Sequence, residues 1–327
     1  MSTAAQADPA APAGSASPLA HRRPLGDRVF QILAAAAGVL VLVILALIAI
    51  STSQQASSWF STEGWKIFTV DWNPATNSFG ALSFIYGTII TAAIAIILSV
   101  PISVAMALLL TEVVPRRWAR PIVYVIDLLA VVPSVVWGLW GLIVLVPWLQ
   151  NTVYSSIASG VKGIPVLDNL FGSPTSGTSF FTAAIVLAIM ITPIITSLSR
   201  EVIATVPTTD KEGAYALGAT RWEMIRGAVW PHSQGGVVGA ILVGLGRAMG
   251  ETIAAALLIG SSAEVTSHLF APGYSIPAAI ANLFPEASGE FRSALIGLGL
   301  MLFVITILVN LVARGFVARS ARRMRGA

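Results

Sequence analysis

Apolar residues fall in six long runs, separated by short stretches that hold nearly all of the charge. The runs lie near 29–51, 84–112, 121–149, 180–200, 233–260 and 293–316. A helix needs about 20 apolar residues to cross a hydrocarbon core, and each run is long enough. The pattern therefore predicts an all-α integral membrane protein with six transmembrane helices. Two runs are interrupted, one by Pro101 and one by Pro133 with Gly138 and Gly141. Membrane helices tolerate such breaks where neighbours satisfy the freed backbone groups. A break of this kind is either an ordinary kink or the mark of a helix lining a pathway.

The polar stretches give an orientation. Arg22, Arg23 and Arg28 precede the first run, and Arg116, Arg117 and Arg120 follow the second. Arg200, Lys211, Arg221 and Arg226 follow the fourth, and Arg314, Arg319, Arg322, Arg323 and Arg325 close the chain. Fifteen of the 19 Lys and Arg thus fall on one side, against Lys66, Lys162 and Arg292 on the other. Basic residues accumulate on the cytoplasmic side, so both termini are expected there, as an even number of spans requires. Residues 1–27, rich in Ala, Pro and Ser at their start, are expected to form a disordered cytoplasmic arm. Residues 28–316 form the membrane domain and 317–327 a basic cytoplasmic tail. The first run is too long for the apolar part of a signal peptide and is expected to be retained.

Composition agrees and excludes other classes. The chain is 56% hydrophobic and 10% charged, whereas soluble domains carry about 25% charged residues. The net charge of +4 then reflects arginines facing anionic lipid, not a nucleic-acid surface. With no cysteine, there is no disulfide, thiolate metal site or cysteine nucleophile. None of Lys66, Lys162 and Lys211 follows a glycine, so the Gly-Lys-Ser/Thr ending of a phosphate-cradling loop is missing. His21, His232 and His268 lie far apart, without metal-ligand spacing. No catalytic or metal-binding residue is expected, and no cofactor bound by this chain.

One charged pair stands inside an apolar run. Arg247 and Glu251 are four residues apart, a spacing that puts both on one face of an unbroken helix. A charge at the centre of a membrane helix costs about 2.5–3.5 kcal/mol on insertion scales. The guanidinium fork suits two oxygens of an anion, and Glu251 would hold Arg247 and offset its charge between substrates. The alternative is a structural ion pair that fixes helix packing. Gly235, Gly239, Gly246 and Gly250 make a stripe on a neighbouring face, where another helix could approach closely. Asp127 is read as a structural residue, pairing with an interfacial arginine.

The longest cytoplasmic stretch contains 207–231. Pro207 to Asp210 make a helix start with Glu212 in the first turn, and Gly218 ends or turns that helix. A second amphipathic piece runs from Ala219 to Val229. Two short helices parallel to the membrane suit either docking to a soluble partner or resting on lipid headgroups.

Here the sequence resembles a family. Glu212-Gly213-Ala214, Gly218 and Ala228-Val229-Trp230-Pro231 repeat the spacing of the cytoplasmic signature of ABC importer permeases, Glu-Ala-Ala, Gly and Ile-x-Leu-Pro. Gly213, Ala228 and Trp230 depart from it; Glu212, Gly218 and Pro231 match. Residues 79–88, 131–149, 244–254 (GLGRAMGETIA) and 269–282 (LFAPGYSIPAAIAN) are similar to permeases of the bacterial phosphate importer, the Pst system. The resemblance covers about residues 25–320. It implies the type I importer permease fold in the bacterial inner membrane and makes Glu212, Gly213, Ala214, Gly218 and Pro231 contacts to an ATPase subunit. It implies a dimer of that ATPase, which carries ATP and Mg, a second permease subunit, a soluble phosphate-binding protein and no nucleic acid. Alternatives are a permease for another oxyanion, such as molybdate or sulfate, and a proton-coupled secondary transporter.

Overall fold

Glycine and proline decide where the apolar runs stop being helix. In a computed structural model that describes residues 25–172 and 176–325, the chain is almost wholly helical. The order is α1 (Leu25–Glu63), α2 (Leu82–Leu108), α3 (Arg116–Val131) and α4 (Ser134–Trp140). Short helices α5 (Val146–Trp148), α6 (Ser155–Val161) and α7 (Pro165–Leu170) follow, then α8 (Phe180–Ala204), α9 (Thr208–Ala216) and α10 (Arg221–Met224). The chain ends with α11 (Trp230–Gly250), α12 (Ile253–Leu258), α13 (Ile276–Leu283) and α14 (Gly289–Arg325). A two-residue hairpin pairs Trp72 with Phe79 and Asn73 with Ser78. The arm expected over 1–27 lies, up to residue 24, outside the described residues, as do 326–327 of the tail.

The chain falls into two units, 1–51 and 52–327. In the first, the apolar side chains from Val29 to Ile50 stand largely exposed, the surface a helix presents to lipid or to another subunit. The second unit holds the core. Its spine is α2 against α8. Ala92, Ala95, Ser99, Ser103 and Ala107 of α2 are all buried and recur every three or four residues. Small side chains let two helix backbones approach closely. At the outer end, Gly87 does the same: a Cβ there would strike the Tyr274 carbonyl.

Among the described residues, five helices are long and apolar enough to cross a membrane: Val29–Phe68, Leu82–Val113, Ser134–Val161, Phe180–Ala204 and Gly289–Gly315. Pro101 is accommodated inside α2 without ending it, whereas Pro133 separates two helices. Val132 is extended (φ −58°, ψ 127°) because a residue before proline is driven out of the helical region. The run expected at 121–149 is therefore divided. α3 is a separate amphipathic helix, and the crossing helix runs from Ser134 through Val161, beyond its expected end.

Four π-helical turns occur among the described residues, Leu109–Val113, Gly141–Leu145, Leu149–Tyr154 and Ile225–Val229. Two of them end two residues before a proline, Pro147 and Pro231. A helical proline clashes with the carbonyl four residues back and offers it no N–H. That carbonyl, of Ile143 or Gly227, lies in the wider turn in both cases.

The segment between the fifth and sixth apolar runs, 261–292, folds back into the core. Gly273 N–H donates to the Ile259 carbonyl (2.8 Å), while Phe180 and Phe181 N–H donate to Ala271 and Leu269 (3.2 and 3.0 Å). These bonds satisfy donors at the start of α8 that no helical carbonyl can reach. α13 buries Ile276, Pro277, Ala278 and Ala279, and the Ile276 N–H reaches Thr88 Oγ1 at 2.9 Å.

Candidate functional site

Two regions carry the residues singled out above. At the cytoplasmic end of α8 the chain leaves the helix at Thr205, and Pro207 begins α9. No residue of α9 is buried. Glu212, Gly213, Gly218 and Pro231 are exposed; Ala214 is half-buried against the small core of Ile203, Val206, Met224 and Ile225. The first turn holds Asp210, so Glu212 lies one turn later than expected.

Gly218 closes α9 with φ +82°, a left-handed conformation that glycine adopts without penalty. Its N–H donates to Tyr215 (2.9 Å), and the Ala219 N–H donates to Ala214 (3.1 Å), a two-bond termination that satisfies the last carbonyls. The turn thrusts Leu217 outward at 91% exposure, beside exposed Tyr215. Sequence reasoning passed over Leu217, since one apolar residue next to a glycine carries no signal until the turn is seen.

The second amphipathic piece is no separate helix. Thr220 caps α10 reciprocally with Glu223: the Thr220 N–H donates to Glu223 Oε2 at 2.7 Å, and the Glu223 N–H to Thr220 Oγ1 at 3.4 Å. The Thr220 N–H and, second to it, the Thr220 hydroxyl, which also donates to Glu223 Oε2 at 2.7 Å, hold the exposed Glu223 carboxyl below the usual carboxylate range. The helix then passes through the π turn at Ile225–Val229 directly into α11.

α11 carries Arg247 but not Glu251. It ends at Gly250, and Glu251 is extended (φ −69°, ψ 122°) before α12 begins. The single uninterrupted helix read into 233–260 is therefore corrected, and with it the shared face. Among the described residues no hydrogen bond or ion pair joins Arg247 to Glu251. The cause is local and tertiary together. Gly246 and Gly250 each cost about 1 kcal/mol of helix propensity, and α12 is held against α4, where a Cβ on Gly138 would come within 2.9 Å of Ala254 Cα.

Arg247 sits exposed in the last turn of α11, near the negative end of the helix dipole, and Glu251 is half-buried. Thr252 Oγ1 donates to the Gly250 carbonyl at 3.2 Å. Non-helical backbone at membrane depth survives only where protein or a wet cavity satisfies it.

The glycine stripe faces outward. A Cβ added at Gly235, Gly239, Gly246 or Gly250 would meet nothing within 4 Å. The close contacts of α11 are made instead by Gly236 against Val202 and Gly244 against Ile195, both on α8. Gly235 and Gly239 line an open groove of about 720 Å³ with Ile307, Leu311 and Arg314 of α14. Asp127 accepts from Ser197 Oγ at 3.0 Å, so a hydroxyl of α8 takes the place of the arginine expected beside it.

Apolar helices with a short exposed helix at one end fit the membrane component of an ABC importer. A family described as "Binding-protein-dependent transport system inner membrane component" matches residues 99–326. Among solved structures, an inward-facing form of the MetNI methionine ABC transporter aligns with a TM-score of 0.55 at 14% identity, covering 76% of this chain and 99% of that one. A bacterial ABC transporter involved in import of the acidic polysaccharide alginate aligns with a TM-score of 0.53 at 15% identity, covering 89% and 99%. At such identities the likeness is one of fold.

Curated sequences are much nearer. "Phosphate transport system permease protein PstC" of Mesorhizobium japonicum is 46% identical over 303 residues, 91% of this chain and 92% of that protein. The protein of that name from Haemophilus influenzae is 43% identical over 282 residues, 85% and 90%. The chain belongs to the binding-protein-dependent inner-membrane components and, within them, to the PstC type.

Proposed function

We propose that this chain is a permease subunit of an ATP-driven importer that moves inorganic phosphate across the bacterial cytoplasmic membrane. The observation that carries the substrate is identity above 40% with phosphate transport permeases over some nine-tenths of both chains. No feature on the molecule favours molybdate, sulfate or proton coupling.

The geometry supports the remaining parts of this reading. α9 has no buried residue and offers Leu217 and Glu212 to a soluble partner, which fits an ATPase subunit dimer carrying ATP and Mg. ATP hydrolysis belongs to that partner, and this chain is no enzyme. The open groove beside Gly235 and Gly239 suits a second, PstA-like permease, which would complete the pathway. α11 supplies the sixth crossing, with a soluble phosphate-binding protein docking on the opposite face.

Arg247 is the anion contact in this reading. It is exposed, has no carboxylate partner among the described residues, and stands at the break between α11 and α12. A site that holds its anion by one guanidinium binds weakly enough to release it. Glu251, displaced from the arginine, acts as a gate-side charge that meets Arg247 only when the break closes. Phosphate uptake into proteoliposomes holding both permeases and the ATPase tests the reading. It requires ATP-dependent uptake that survives collapse of the proton gradient; uptake that follows the gradient and ignores ATP would sink it.

A further inference from the structure

The π turn after α2 and the cytoplasmic ends of α3, α8 and α9 line an open cavity of about 490 Å³ that is distinct from the helix break at Arg247. Arg116 and Arg120 enter it from α3, Arg200 from α8 and Lys211 from α9. Lys211 is neutralised by Glu112 at 2.6 Å. The three guanidiniums have no carboxylate partner among the described residues. Arg116 and Arg120 are one helical turn apart on one face, a like-charge spacing that destabilises a helix unless an anion offsets it.

Leu110, Ala119, Val123 and Val206 give the pocket an apolar wall. Tyr124 and Thr208 add hydroxyls at the boundary. Solvated arginines that merely set topology need neither a shared cavity nor an apolar wall.

We infer that this cavity binds a phosphoryl group, held by the guanidinium forks of Arg116, Arg120 and Arg200. Each fork can donate two N–H bonds to phosphoryl oxygens, which a lysine cannot do. The phosphoryl group comes from one of two sources, the headgroup of an anionic phospholipid or free orthophosphate. The apolar wall fits the glycerol and first methylenes of a lipid, and basic pockets between membrane helices on this side collect such headgroups. Since Lys211 belongs to α9, an occupant would brace the exposed helix against α3 and α8. Nothing in this inference depends on which anion the importer carries.

The test uses the full chain in detergent. It is titrated with dioleoyl phosphatidylglycerol, with dioleoyl phosphatidylcholine and, separately, with orthophosphate, and bound molecules are counted by native mass spectrometry. Wild type should retain one more phosphatidylglycerol than the double variant R120Q/R200Q, with affinity lowered about ten-fold for each charge-assisted bond lost. Phosphatidylcholine should be retained equally by both. Arg116→Gln, at an exposed position in the first turn of α3, should weaken phosphatidylglycerol several-fold and decides the matter if the double variant does not fold. A variant-sensitive component for orthophosphate and none for the lipid would assign the site to the free ion. Equal retention of both ligands by wild type and by Arg116→Gln would overturn the inference.

Discussion

The ammonium of Lys211 lies 2.6 Å from the Glu112 carboxylate, tying α9 to the end of the second crossing helix. It is the only ion pair among the described residues, and the Glu112 side chain is only 6% exposed. Removing one member of a buried pair leaves an uncompensated charge, at a cost of about 3–5 kcal/mol. Lys211→Met should therefore lower the melting temperature of the purified chain more than the double change Lys211→Met with Glu112→Leu. Equal losses would mean that the pair is solvated.

Arg247 and Glu251 should behave independently. Arg247→Gln is expected to abolish phosphate uptake while leaving the complex assembled, and Arg247→Lys should restore only a part, because the fork is lost. In thermal stability the two single changes, Arg247→Gln and Glu251→Gln, should add within about 0.5 kcal/mol, as groups without a shared contact do. A larger coupling would show that the two meet in the resting state.

Leu217, at 91% exposure, is the expected anchor for the ATPase. An exposed leucine on a glycine turn gains only when a partner covers it, so Leu217→Ser should leave the stability of the isolated chain within about 0.5 kcal/mol. Co-purification with the ATPase should fall clearly. Glu212→Ala should lower coupled uptake as well, and unchanged co-purification and uptake in both variants would remove α9 from the interface.

Glycine 273 has no room for a side chain, since a Cβ there would land on the Phe180 ring. Overpacking of this kind costs about 1–3 kcal/mol. Gly273→Ala should lower the unfolding temperature, whereas Gly213→Ala, with nothing within 4 Å, should not.

The Thr220–Glu223 cap has a pH signature of definite sign. The folded carboxyl lies below its ordinary value, so the cap's contribution is complete above the unfolded pKa and disappears as pH falls through the lower, folded one. Hydrogen exchange at the Glu223 and Met224 amides should accelerate, beyond its intrinsic pH dependence, only in that acidic window. Glu223→Gln should exchange with no such step.

Hydropathy made the crossing helices legible because lipid demands long apolar runs, and α1, α2, α8 and α14 lie where the runs do. The short helix α9 was legible from Pro207, which precedes its first residue, and from Gly218, which turns the chain after its last. Three things were not. The division at Val132 depends on one proline acting on its neighbour, where Pro101 in a similar apolar setting leaves its helix whole. The break after Gly250 needs, besides its own glycines, the docking of α12 on Gly138, which lies far away in the chain. The inward fold of 261–283 joins pieces too short to span, held by hydrogen bonds to Phe180 and Phe181 that no periodicity announces.

The π turn at Ile225–Val229 stands between α9 and Arg247, and it accommodates one residue more than an α turn would. Each residue of a regular α-helix advances about 1.5 Å and rotates about 100°, so a register one residue out would swing Arg247 by more than a quarter circle relative to α9. The wider turn absorbs the extra residue and keeps the angular phase between the proposed ATPase surface and the proposed anion contact. Deleting Gly227 should therefore tighten the turn to α and leave Arg247 facing the same way, whereas a deletion in the regular part of α11 would rotate it.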